Sequence, residues 1–181
     1  LHHKDFFPGI DKMIAPLEDE DFKKLQPEVL LTFGGLVVSK KIKAFLRTYK
    51  PAHHWHVDMF KANDTFFCLN KHIQLSPNTF FKTLLPQIVQ VVDSDYKSNW
   101  LKVRAHRRQK HLDYLKEIPF SDFLAFDTIL KSVPTQSQLQ VGNSSAIRYT
   151  QLFQLRKDIT VFCNRGTSGI DGSTSTAIGA S

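Results

Sequence analysis

The residue types best suited to chemistry sit together near the end of the chain, in Asn164-Arg165-Gly166-Thr167-Ser168-Gly169-Ile170-Asp171-Gly172. Backbone N–H groups of a glycine-rich turn can surround an anion, and a guanidinium fork matches a carboxylate, so this composition suits recognition of small anions. The preceding run, Ile159-Thr160-Val161-Phe162-Cys163, is β-branched and aromatic and predicts a buried parallel strand. A helix is expected to start near Ser173 or Thr174, which places the glycines in a strand-to-helix turn. That is where open α/β sheets bind their ligands, with helix N–H groups facing a negative charge. Gly166, Gly169 and Gly172 are expected to supply positive φ or close backbone approach.

A second set lies upstream, in Gly142-Asn143-Ser144-Ser145-Ala146-Ile147-Arg148. A strand is expected over 138–141 and a helix from Ser144 to Leu155, with Ser144 as N-cap and Arg148 one turn later on the same helix face. If the two strands are neighbours, their carboxyl ends lie about 5 Å apart. Asn143, Ser144, Asn164 and Arg165 then share one rim of the sheet, with Arg148 close behind. The residues alone leave open a plainer alternative, an N-cap with two surface arginines.

The elements that must position these groups can be read along the chain. Residues 1–27 are interrupted by Phe7-Pro8-Gly9 and Ala15-Pro16, and only residues 19–25 suggest a short helix. Val29-Leu30-Leu31-Thr32-Phe33 predicts a fully buried strand, followed by Gly34-Gly35 and a helix over 39–49 with Ile42, Phe45 and Leu46 on one stripe. Lys40 and Lys41 open that helix, where a cation opposes the macrodipole, so they are either solvated or matched by an anion. His53 to Asp58 alternates as a strand, with His54, His56 and Asp58 on one face. A metal set is conceivable there, but no further ligand has suitable spacing, and no metal-binding residue is assigned. Strand character continues over 72–75, and Ser76-Pro77 opens another helix. The longest helix is expected over 95–117, with Leu101, Ala105, Leu112 and Leu115 as its apolar seam and a solvated cluster of Arg104, Arg107, Arg108, Lys110 and His111. Pro119 ends it, and a helix follows over 120–133 with Ser121 or Asp122 as N-cap.

The fold class expected is therefore α/β, a Rossmann-like parallel sheet with flanking helices over 1–118, then the truncated start of a second α/β domain over 119–181. With 181 residues, 41% of them hydrophobic, there is enough apolar matter for packed cores, and no apolar run reaches the roughly 18 residues of a membrane span. The start has neither an initiator Met nor a signal-peptide pattern, so the chain reads as a segment of a cytoplasmic protein. Cys68 and Cys163 sit in apolar settings and read as buried thiols. A net charge of +7 favours anionic partners. The basic helix is the best case for nucleic acid, but no aromatic residues interleave with its arginines and no nucleic-acid-binding signature is present.

The run from Asn164 to Gly172, continuing through Ser175-Thr176-Ala177 to Gly179, resembles the signature of the 2-succinyl-5-enolpyruvyl-6-hydroxy-3-cyclohexene-1-carboxylate synthase family. Gly142 to Arg148 is a second match, and Ser39-Lys40-Lys41 after Gly34-Gly35 a weaker third. The resemblance implies a thiamine-diphosphate- and Mg2+-dependent transferase of menaquinone biosynthesis, which decarboxylates 2-oxoglutarate and adds the product to isochorismate. It implies that Arg148 and Arg165 hold substrate carboxylates, with Ser168 lining the same pocket. Asn143, Ser144 and Gly169 would contact the cofactor, and Ile170 would prop it in its bent form. Lys40 and Lys41 match a basic pair beside the acceptor, where the family can show Lys-Arg; a lysine at position 41 cannot make the bidentate fork. The residue that activates the cofactor and the Mg2+-diphosphate motif have no match, so no catalytic or metal-binding residue is assigned, and the 181-residue chain alone is expected to be inactive. The partners implied are dicarboxylate substrates, the rest of the same polypeptide and further copies in a dimer or tetramer. Another thiamine-diphosphate decarboxylase or lyase is the alternative, and a basic nucleic-acid-binding module a more distant one.

Overall fold

The computed structural model describes residues 5–90, 92–164 and 169–181. Contacts divide the chain into two units, Ile10–Arg107 and Arg108–Ser181, the latter joined by the residues up to Gly9.

The first unit holds a three-stranded parallel sheet in the order β1 (Val29–Phe33), β2 (His53–Val57), β3 (Leu69–Ile73). β1 and β2 pair in register from Val29 opposite His53 to Phe33 opposite Val57. Parallel neighbours need a crossover, which α3 (Lys40–Thr48) supplies between β1 and β2. Phe45 and Leu46 of α3 are buried, and Phe45 meets Phe22 at 4.9 Å and Trp100 at 6.4 Å between ring centroids. Around them lie two helices that precede β1, α1 (Ile10–Ile14) and α2 (Asp19–Leu25), with Met13, Ile14 and Leu25 almost wholly buried. α1 was not expected from its sequence, because Pro8 and Pro16 flank only seven residues, less than two turns of pattern. α4 (Pro77–Leu84) starts where Ser76 accepts from the Thr79 N–H at 3.1 Å. β3 begins three residues earlier than the strand expected over 72–75 and ends at Ile73. In β1 only the three central residues are partly covered and both ends are exposed, so the strand is not the fully buried one its composition suggested.

α5 (Tyr96–Glu117) is the long helix, but its covered face differs from the expected seam. Trp100 is buried and Arg104, Arg107, His111 and Leu115 are half-buried, whereas Ala105 and Leu112 are exposed. Long basic side chains and imidazole cover apolar surface with their carbon atoms as leucine does, so charge type was a poor guide to which face is solvated. His111 stands edge-on to Phe123 and Phe153, each at 5.3 Å.

The second unit contains α6 (Asp122–Ser132), whose N-cap Ser121 accepts from the Leu124 N–H at 3.4 Å, then β4 (Gln138–Val141), α7 (Ser145–Thr150), β5 (Thr160–Cys163) and α8 (Ser173–Gly179). β4 and β5 are parallel neighbours, Gln138 opposite Thr160 through Val141 opposite Cys163. Arg156 ties the entrances of both strands: its guanidinium donates to the Val133 and Pro134 carbonyls at 2.8 Å and to Asp158 at 3.1 and 3.2 Å. That guanidinium, with the Gln136 N–H, holds the Asp158 carboxyl down to about 2. β5 is largely exposed rather than buried, with Val161 39% and Phe162 47% accessible. α7 is half the expected length, because residues 151–153 turn away where the Leu152 and Phe153 N–H groups bond back to Tyr149 and Thr150. No helix of the described residues is long and apolar enough to cross a membrane.

Candidate functional site

The register that pairs Val141 with Cys163 brings the next residues of both strands to a single rim, as the neighbouring-strand expectation required. Asn143 is 6% exposed and donates its amide to the carbonyl of Asn164 at 2.6 Å and to that of Gly169. Its amide oxygen accepts from the Cys163 thiol at 3.7 Å. Asn143 is thus the clasp between the two turns, and the protein itself occupies much of its polar capacity. Asn164 continues the chain of contacts, donating to Thr176 Oγ1 at 3.2 Å, and Thr176 in turn donates to the Gly172 carbonyl at 2.7 Å. These bonds tie Asn164 and Gly172 to the first turn of α8.

Ser144 does not cap α7 through its side chain. It stands at φ 63°, ψ −127°, a conformation that L-residues seldom adopt, and its hydroxyl makes no cap bond. The reason is the clasp: Asn143 turns inward to reach two carbonyls, and the chain leaves it through Ser144 with the side chain exposed. Gly172, expected to supply positive φ or close backbone approach, is at φ −80° and serves as N-cap of α8, with open space where a Cβ would stand. Arg148 is exposed, with no ion pair among the described residues. Ile170 is 65% exposed, an apolar side chain presented outward beside the clasp. Ser173 Oγ is buried without a hydrogen-bond partner among the described residues and lies 3.9 Å from where a Cβ on Gly142 would be. Arg165 and Ser168 lie outside the described residues.

Thiamine diphosphate, which the resemblance implies, fits what is present at this rim. An outward apolar side chain at Ile170, and a buried Ser173 hydroxyl with no partner among the described residues, suit a ligand with one apolar and one anionic part. Ser173, expected only as a helix start, was not singled out as a polar group of the site; its place beside Gly142 depends on the fold.

In the other unit, Lys40 and Lys41 are exposed at the first turn of α3, which carries no acidic residue there, and neither is ion-paired among the described residues. Ser39 caps the helix, accepting from the Ile42 N–H at 3.1 Å while donating to Asp11. The three histidines nearby form no metal set: no group of ligand residues able to hold an ion occurs among the described residues. His54 and His56 instead share the Thr32 hydroxyl at 2.9 and 2.8 Å, and His72 bonds the Asp58 carbonyl at 2.8 Å. Burial pushes His54 below its ordinary value and the Cys68 thiol above its own, so both favour the neutral form. The Phe60 and Lys61 N–H groups hold the Asp58 carboxyl low.

No family model matches the chain. Individual proteins do. It is 57% identical over 180 residues to the 2-succinyl-5-enolpyruvyl-6-hydroxy-3-cyclohexene-1-carboxylate synthase of Flavobacterium johnsoniae, covering 99% of this chain. The synthases of Flavobacterium psychrophilum, 56% identical over 99% of the chain, and of Christiangramia forsetii, 52% identical over its whole length, match likewise. The chain is a homologue of these synthases. It spans about a third of their length, 32% in each case. The parallel α/β units seen here agree with the fold expected for a thiamine-diphosphate enzyme of the synthase family.

Proposed function

We propose that the protein carrying this chain is a thiamine-diphosphate- and Mg2+-dependent transferase. It decarboxylates 2-oxoglutarate and adds the succinyl semialdehyde unit to isochorismate, forming 2-succinyl-5-enolpyruvyl-6-hydroxy-3-cyclohexene-1-carboxylate. The observation that carries this reading is the clasp of Asn143 on Asn164 and Gly169, which gathers the two turns bearing the synthase-like motifs. Identity of 57% to a synthase over 180 residues, a span that includes those motifs, supports it.

Residues 1–118 would belong to the middle domain and 119–181 to the start of the diphosphate-binding domain. Thiamine diphosphate would supply the electron sink for decarboxylation. Of this chain's residues, Arg148 and Arg165 would each hold a carboxylate with a planar fork, and Ser168 would line the pocket. Ile170 would give the cofactor apolar support, while Gly169, Asn143 and Ser144 shape the turn beside it. Lys40 and Lys41 would meet the acceptor's carboxylate, an anion that relieves two cations at a helix start whose first turn carries no acidic residue. Mg2+ and the group that activates the cofactor would be held by other parts of the protein, which would work in the cytoplasm as a homo-oligomer, with small dicarboxylates and not nucleic acid as partners.

The full-length protein, supplied with thiamine diphosphate, Mg2+, 2-oxoglutarate and isochorismate, should release CO2 and form the succinylated product. Turnover of another 2-oxo acid with none of 2-oxoglutarate would replace this reading by that of a different thiamine-diphosphate decarboxylase.

A further inference from the structure

Thr32 lies next to last in β1, and its hydroxyl is shared between His54 Nε2 and His56 Nδ1, whose side chains are 1% and 8% exposed. A hydroxyl has one proton to give, so at most one ring accepts from it and at least one must donate to it, which restricts the tautomers of the pair. The arrangement continues outward. His54 Nδ1 is 3.9 Å from Cys68 Sγ, and the His54 N–H donates to Asn70 Oδ1 at 2.8 Å. Apolar side chains would fill this space with less desolvation. A satisfied polar network contributes a defined geometry more than it contributes stability.

The geometry it defines is the exit of β1. Thr32 is followed by Phe33 and by Gly34 at φ 79°, and Gly34, Gly35 and Val37 line a small hollow whose wall includes Thr32 and His56. The far end of this loop is Ser39, held by Asp11 and the Ile42 N–H, and directly after it come Lys40 and Lys41. We propose that Thr32 and His56 are positioning residues that hold the β1 exit so that the 34–38 loop delivers Lys40 and Lys41 to the acceptor carboxylate. This rests on the reading, given above, that those lysines meet the acceptor.

The test uses the full-length enzyme. Thr32→Val keeps the shape and removes the hydroxyl, and His56→Leu removes the ring; each should raise KM for isochorismate about tenfold while kcat and KM for 2-oxoglutarate change less than about twofold. Thr32→Ser should restore the acceptor KM, since it keeps the hydroxyl. A Lys40→Ala, Lys41→Ala double variant should raise the same KM at least as much. If that double variant raises it while folded Thr32→Val and His56→Leu enzymes keep the wild-type value, the positioning role is overturned and the lysine reading stands. A wild-type acceptor KM in the lysine variant overturns both. Losses in Thr32→Val that fall equally on both substrates and follow a lowered Tm also overturn it, and His56→Leu decides if Thr32→Val does not fold.

Discussion

Both parallel sheets bring their proposed binding residues to strand carboxyl ends, but they support them by different means. At the rim of β4 and β5 the support is one side chain: Asn143 bonds the carbonyls of Asn164 and Gly169, while Arg148 and Ile170 stay exposed beside it. At the exit of β1 the support is a buried network, and the exposed groups, Lys40 and Lys41, stand beyond a loop fixed at each end. The first region binds through groups next to their support, the second through groups several residues away from it. Substitutions should therefore act locally at the first rim and at a distance at the second.

The largest expected effect lies at the first rim. Replacing Arg148 or Arg165 by Ala in the full-length enzyme should leave a substrate carboxylate without its fork, costing about 2–4 kcal/mol, or roughly 30- to 1,000-fold in kcat/KM. Lys at either position should recover part of this, because charge remains and the fork is lost. Folding should be unaffected, since Arg148 has no ion pair among the described residues to lose. Wild-type kinetics in both alanine variants would remove the comparison's first half.

Asn143→Ala sharpens the same contrast. It leaves two carbonyls and a thiol without their shared partner, at a cost of about 2 kcal/mol. The effect should appear as a lower Tm with no cofactor present. If Tm changes only when thiamine diphosphate is added, Asn143 is a ligand contact and not a clasp.

What could be read in advance divides along similar lines. Strand and helix existence followed from local pattern: β4 lies at the expected residues, helices begin beside Ser39 and Ser76, Ser121 caps as expected, and the two βα turns do meet. These depend on neighbours in sequence or on a single pairing, and the cap expected at Ser144 fails where a distant contact intervenes. Features that depend on which surface lies opposite were not legible. α5 covers Arg104 and Arg107 in place of Ala105 and Leu112, and Thr32 looked like one more strand residue although it is the hub between two histidines. Asn143 and Ser144 show the limit within one motif. The pair marked the right turn, but that Asn143 points inward and forces Ser144 to a positive φ is set by the distant Gly169 carbonyl.

A gradual effect is expected from pH at the second region. Burial lowers His54 in the folded state, Asp64 opposing and His56 adding to the shift. The unfolded chain therefore binds a proton that the folded one resists. The contribution of neutral His54 is complete above its unfolded value of about 6.5 and is lost progressively as pH falls through that value towards the folded one. Tm should drop between pH 7.5 and 5.5, and the drop should be smaller in His54→Gln, which cannot be protonated. An equal drop in the two proteins would assign the acid sensitivity elsewhere.

The smallest effects come from one glycine in each region. Gly34 is at φ 79°, where a Cβ crowds the backbone whatever space surrounds it, so Gly34→Ala should lower stability by about 1 kcal/mol. Gly172 is at φ −80° with nothing within 4 Å of the place a Cβ would take, an ordinary conformation for alanine. At a helix N-cap, alanine is worse than glycine by about 0.5–1 kcal/mol, while the less flexible unfolded chain contributes about as much in the other direction. Gly172→Ala should therefore leave Tm nearly unchanged. Activity separates the remaining possibilities. If Gly172 is present so that a diphosphate can approach the backbone, Gly172→Ala should weaken thiamine diphosphate binding at unchanged Tm, whereas Gly34→Ala should lower Tm and raise the acceptor KM together. Equal effects of the two substitutions on Tm would show that backbone conformation does not distinguish the two turns.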